Sequence, residues 1–493
     1  MTFQIEPLPP EEPQSEKKSG CLMRAIAGVV ILALLASSLA AVAWFVTRQA
    51  GIQSSPVQLS TQQVQEVPEL DEALPTAEPA LTPSSPTEMA SPIPAEEAIN
   101  RIVFVNDEGH IETISPNGSD RRLVSGEDYA FQYPAWSPDG EKIAALGSSS
   151  EGSGIFLMQD QEISGSVEEV LFGDGRTPFY LYWSPDSSKI GFLASRFGRG
   201  MSLNIVEARE GMESQQLASG SPFYWNWTAD SQQLLIHSGA LGEDARLALI
   251  DKIRGLEADE IESPGYFQAP GISPSGRFWA YSQLQDGGNS WLTVDDRETG
   301  EKLTQRHAGS VALSWSPVDD QLAFISGDSE RQSSYWGPLR LLDAQTGDIR
   351  VLSSNLVLAF FWSPDGTKIV TISVPLINRL DEAIEVRGPN SRQLSKSLPV
   401  QQRPPHKFMI SVINVMDGSG LELGEVSLPT SFLSQFLVFF DQYALSHSIW
   451  SPNSDAIVLP ILLNNSSQLM VITTSSGRMN EIGSGQIAFW SPR

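Results

Sequence analysis

The chain has 493 residues, and its 59 Asp and Glu outnumber 32 Lys and Arg to give a formal net charge of −27. That balance excludes a nucleic-acid-binding surface, which needs a basic stripe to neutralise phosphates. A single cysteine, Cys21, excludes an intrachain disulfide and a CxxC metal site, so burial and strand pairing must hold the fold.

Residues 1–20 are polar and rich in Pro and Glu, the composition of a short disordered cytoplasmic tail. A transmembrane helix is predicted over 21–48, where Ala25 to Val46 carry no charge. As a helix that run covers about 33 Å, enough to span a bilayer. Lys17, Lys18 and Arg24 precede it, and only Arg48 follows before Arg101. The positive-inside rule then places the N-terminus in the cytoplasm and the rest outside, a single-pass arrangement in the plasma membrane. Ala41-Val42-Ala43 has the form of a signal-peptidase site, but the long n-region and long apolar run favour an uncleaved anchor. Residues 49–98 are Pro, Ser, Thr, Glu and Ala with almost no aromatic content, which predicts a disordered stalk.

From residue 99 onward one pattern recurs. It reads AWSPDGEKIAAL at 135, YWSPDSSKIGFL at 182, NWTADSQQLLIH at 226 and GISPSGRFWAYS at 271. It continues as SWSPVDDQLAFI at 314, FWSPDGTKIVTI at 361 and IWSPNSDAIVLP at 449, and ends on Phe489-Trp490-Ser491-Pro492. Most steps are 40 to 47 residues, the length of one four-stranded propeller blade. Trp ends a strand and packs on a neighbour, Ser-Pro-Asp-Gly turns the chain, and a short β-rich run follows. The aspartates of these turns, Asp139, Asp186 and Asp365, are therefore read as turn residues. A second hairpin, such as LRLLDAQTGDIRVL from 339, runs in phase with the first. The first repeat lacks its opening motif and the last lacks everything after it. Joined, IAFWSPR and NRIVFVNDEGHIETI complete one blade, which predicts an all-β, eight-bladed propeller closed by pairing its N- and C-terminal strands.

The recurring WSPDG-K-I-A-F pattern resembles the WD-repeat-like propeller of TolB-type proteins, over about residues 100 to 493. The resemblance implies the fold and is nearly silent on function. TolB carries an extra α/β domain before its propeller, and none is visible in this sequence.

Departures from the repeat mark candidate sites. An insertion at about 374–408 carries Arg379, Arg387, Arg392, Lys396, Arg403 and Lys407, a basic excursion on an acidic protein. The connection from Ser427 to Ser448 holds Phe432, Phe436, Phe439, Phe440 and Tyr443. Strand order puts both on one face, so Phe436 and Phe440 join the basic residues as candidate partner-binding positions. Arg196 and Arg199 in one loop, and Arg331 and Trp336 in another, are expected on the same face. The competing reading of the aromatic run is plain core.

Catalytic chemistry is not legible. The five histidines show no HExxH or other metal spacing, and no GxSxG elbow, EF-hand or phosphate-cradling loop is present. No cofactor is expected. These features favour a membrane-anchored extracytoplasmic propeller that binds or scaffolds a protein partner or an envelope ligand. The alternative is a propeller enzyme, a hydrolase or lyase with its site in the central channel.

Overall fold

The computed structural model describes residues 99–493, apart from 162–166, 174, 197–199, 240–244, 252–258, 267, 286–288, 328–334 and 376–406. The segment 21–48 lies outside the described residues, among which no helix is long and apolar enough to cross a membrane.

The described chain is an all-β propeller of antiparallel sheets. Three sheets repeat one meander, beginning with Ala130–Trp136, Thr177–Trp183 and Phe223–Trp227 and each adding three further strands in chain order. A ten-stranded sheet then runs from Gly271–Ile272 to Gly420–Ser427. Within it, Lys302–Trp315 and Ile349–Trp362 each serve two blades. The first half of Lys302–Trp315 pairs outward with Asn289–Asp296, and after a register shift its second half pairs with Gln321–Gly327. Ala456–Leu463, Ser466–Thr473 and Met479–Ser484 form a further meander, on whose inner edge Trp450 bridges Ile457.

The expected closure is present. Ile487–Trp490 pairs with Ile102–Val105 in the register Ile102↔Trp490 to Val105↔Ile487, so the last strand becomes the inner edge of the first sheet. Arg101 reinforces the seam. Its buried guanidinium reaches Asp160 of the next blade at 2.7 Å, Asp120 at 2.8 Å and the Thr113 hydroxyl at 2.8 Å. A buried cation is tolerable when carboxylates and hydrogen bonds surround it in this way.

The repeated residues do the work that their chemistry suggested. Ser137 Oγ donates to Asp139 Oδ1 and accepts the Lys142 N–H, closing the turn, while Gly140 takes φ +71°. The Asp139 N–H donates to Ser187 Oγ in the adjacent blade at 3.0 Å. The same bridges recur from Asp186 to Ser231 and from Asp365 to Ser454. Trp indole N–H groups also cross between blades, from Trp183 to the Ala135 carbonyl, Trp362 to Ser314 and Trp450 to Phe361, each at 3.0 Å. One motif thus builds both the turn and the joint between blades.

The flanks of the insertion expected at about 374–408 belong to two paired strands. Ser373 pairs with Met409, which draws Val374 into one strand and Lys407 and Phe408 into the next.

Candidate functional site

The strand Gly420–Ser427 lies at the outer edge of its blade, whereas Ile449 and Trp450 lie at the inner edge of the next. The connection must therefore travel inward. Its buried aromatics fall at 432, 436, 440 and 443, three to four apart, so a helical path puts them on one side, with Phe439 on the other. The chain coils through a π turn (Phe432–Phe436), a 3-10 turn (Leu437–Phe439) and one α turn (Phe440–Tyr443).

This coil plugs the middle of the ring. Phe436 packs on Phe361 at 6.0 Å between centroids and on Phe489 at 5.4 Å, and Phe440 on Phe360 at 5.4 Å. Tyr443 stacks on Tyr133 at 5.3 Å and meets Tyr180 edge-on at 5.0 Å. These partners stand on the inner strands of blades all around the ring. Polar side chains lock the plug further. Gln442 accepts the Trp225 N–H at 2.9 Å and donates to the Trp225 carbonyl at 3.0 Å and to the Tyr180 hydroxyl at 3.1 Å. The Tyr133 hydroxyl donates to Gln435 Oε1 at 2.8 Å, and Tyr335 donates to the Val438 carbonyl at 3.0 Å.

An acid and an imidazole are sealed inside. Asp441 is 4% exposed and accepts the Ala269 N–H at 3.0 Å. Burial raises its pKa to about 6, against the smaller opposing effect of backbone hydrogen bonds. His447 is pushed down to about 3 by burial, which keeps the imidazole neutral. It exchanges a hydrogen bond with Ser446 Oγ at 2.6 Å.

Below the plug, on the side of the Trp-Ser-Pro turns, lies a cavity of about 360 Å³. Pro274, Pro317 and Pro364 of those turns line it, together with Trp315, Trp362 and Leu445. His447, Ser448 and Asn226 also border it, and among its described lining residues His447 is the one titratable side chain. Among the described residues no group of three or more His, Cys, Asp or Glu is placed to hold a metal ion.

The candidate residues separate on inspection. Phe436 and Phe440 are fully buried at 0% exposure, so they anchor the plug and offer no surface to a partner. Their chain neighbours Val438 and Phe439 are instead exposed, at 49% and 44%. Trp336 is 42% exposed and follows Tyr335, which is bonded to the plug. Lys407 opens its strand and pairs with Glu425 at 3.7 Å. Arg196 ends the strand Lys189–Arg196 opposite Gly200, and its side chain lies outside the description. Arg199, Arg331, Arg379, Arg387, Arg392, Lys396 and Arg403 lie outside the described residues. Sequence reasoning passed over Asp441, Gln442 and His447. The available signal was the aromatic spacing of three and four with polar residues held between.

Geometry defines the class: an all-β propeller closed on itself through its terminal strands. Its many antiparallel sheets are consistent with a TolB-type propeller, as the Trp-Ser-Pro motif implied. No protein-family model matches the chain, and no curated protein matches it. Similar solved structures include TolB from Acinetobacter baumannii, 20% identical, with a TM-score of 0.32 over 51% of this chain and 65% of that one. Dihydro-heme d1 dehydrogenase NirN in complex with DHE is 13% identical over 81% and 77% of the two chains, with a TM-score of 0.49. Oligogalacturonate lyase in complex with manganese is 12% identical over 78% and 83%, with a TM-score of 0.40. Likeness at this level concerns fold alone.

Proposed function

We propose that the protein is an eight-bladed propeller, anchored through residues 21–48 and held outside the plasma membrane, that binds or scaffolds another protein of the cell envelope. Eight Trp-Ser-Pro-type motifs and the strand groupings support the blade number. The observation that carries the binding reading is the exposed apolar group Val438, Phe439 and Trp336 on the plugged face. Solvent-facing aromatics on a rigidly packed support suit the anchor positions of a protein interface. Val374 and Lys407, the roots of the basic insertion, stand at the loop end of their blade that shares this face. The enzyme alternative would place chemistry in the central cavity, where His447, held neutral, is the one titratable side chain among the described lining residues.

The test is capture and cross-linking from native membranes with the full chain, beside Phe439→Asp and a version lacking 376–406. Wild type is expected to retain a defined protein that Phe439→Asp loses at unchanged melting temperature. Equal capture by both would overturn the assignment of this face. In the same membranes, alkaline carbonate should fail to extract the chain, and protease added outside should digest the propeller. Extraction, or protection from protease, would overturn the anchored topology.

A further inference from the structure

Repetition makes departures from it readable on the Trp-Ser-Pro side. After the proline in the turns of Trp136, Trp183 and Trp362 stands an exposed aspartate, Asp139, Asp186 or Asp365, whereas the turn of Trp315 carries Val318, 57% exposed. The outer hairpins share a bond from a glycine N–H to the carbonyl four residues earlier, at Gly300, Gly347, Gly418 and Gly477. Two residues before these glycines stand Glu298, Gln345 and Ser475, but before Gly418 stands Met416, 83% exposed. On the strand after such a hairpin, the register aligns Val351, 57% exposed, with Thr304, Glu422 and Glu481. Three polar positions of the repeat are therefore apolar here while still facing water.

The three lie at one joint between two blades. Val318 leans on Gly366 in the next turn, so closely that a Cβ there would collide with it. The adjacent Thr367 carbonyl accepts the Val415 N–H at 2.9 Å, and Met416 follows Val415. Arg350, flanked by exposed Ile349 and Val351, donates to the Met416 carbonyl at 3.0 Å and to the Val415 carbonyl. Scattered apolar residues on a surface are ordinary, but a group gathered at one place marks a contact site. The surroundings set the charge of what fits. Exposed Asp319, Asp348 and Asp417 adjoin Val318, Ile349 and Met416 in sequence, and Arg350, the one base in these segments, is committed to backbone carbonyls. An acidic partner would be repelled there and a basic one drawn in.

We infer that this joint is a docking surface for a protein segment that carries apolar side chains among lysines or arginines. It lies on the Trp-Ser-Pro side, so it is separate from the apolar group at Phe439 and does not depend on the reading of that face.

The experiment uses the full chain at physiological salt. The probe is a fluorescent synthetic peptide of alternating leucine and lysine, with leucine–glutamate and serine–lysine peptides as controls. Saturable one-site binding of the leucine–lysine peptide is expected, with both controls at least about tenfold weaker. Val318→Asp, Val351→Thr and Met416→Gln together restore residue types that other blades carry, so the melting temperature should hold while binding weakens about tenfold. Met416→Gln alone, at an exposed hairpin tip, should still cost about threefold. Phe439→Asp should leave the affinity unchanged. No saturable signal, equal binding of the serine–lysine peptide, or unaltered affinity in the folded triple variant would overturn the proposal. Loss of binding in Phe439→Asp would place the peptide on the plugged face and overturn it equally. Self-association of wild type that the triple variant abolishes would mean that a second copy covers the joint, and would also overturn it.

Discussion

The two faces of this propeller are built on opposite rules. On the Trp-Ser-Pro side, each blade repeats one turn, and each turn is tied to its neighbour by the same short bridges, such as Asp139 to Ser187 and Asp365 to Ser454. On the other side a single irregular segment, Phe432 to His447, replaces repetition with unique contacts to many inner strands. Repetition leaves an axial opening, since identical blades present identical inner edges. Closing that opening on one side takes a segment that belongs to no blade. The regular face is thereby left as a cup and the irregular face as a lid.

The comparison can be broken most severely at the regular side. Deleting Ile487 to Arg493 removes the inner strand of the first sheet, including Phe489 at 1% exposure and Trp490 at 2%. Losing two buried aromatics costs about 6–10 kcal/mol, comparable with the ~5–15 kcal/mol stability of a whole domain. Loss of a cooperative thermal transition is expected, and an unchanged melting temperature would show that the ring closes by other means.

A smaller effect is expected at the lid. Gln442→Ala strips the Trp225 N–H and carbonyl and the Tyr180 hydroxyl of a shared partner in a dry setting. The cost should be about 2–4 kcal/mol, read as a lower urea midpoint. A shift worth under about 0.5 kcal/mol would mean that the aromatic contacts hold the plug unaided.

The smallest effect is a change in pH dependence. The folded pKa of Asp441, about 6, lies above the ordinary aspartate range, so its contribution is full below about pH 4 and is lost as pH rises through 6. His447 and His237 act oppositely. Their folded values of about 3 and about 4 lie below 6.5, so their contribution is present above that and fades as pH falls. Tyr180, Tyr224 and Tyr335 surround Asp441, and burial keeps all three neutral in this range. Asp441→Asn retains an acceptor for the Ala269 N–H and removes the charge. The variant should gain about 1–2 kcal/mol at pH 7.5 and lose stability more steeply than wild type between pH 6 and pH 4. Parallel pH profiles would contradict a carboxylate sealed in the plug.

Much of this was legible in the residues. The recurring motif located the turns, the inter-blade tryptophans and the paired ends, because each of these depends on local chemistry repeated at a fixed spacing. Asp139 and its equivalents were rightly read as turn residues. The plug was less legible. Phe436 and Phe440 are equally compatible with an exposed binding loop and a buried segment, and nothing within 427–448 says what surrounds it. The exposure of Val438 and Phe439 beside buried Phe440 is likewise invisible in the unbroken apolar run from Phe436 to Phe440.

By itself, then, the sequence determined the elements whose partners lie nearby or recur in register: the blades, their turns and the closure of the ring. Tertiary structure alone decided what happens on the axis, where Tyr133, Trp225, Ala269 and Phe489 converge on one segment from four different blades. The physical reason is sequence separation. Gln442 is 217 residues from Trp225, and Gln435 is 302 from Tyr133. No periodicity encodes such contacts, and they arise only when the closed ring brings its inner edges together around the plug.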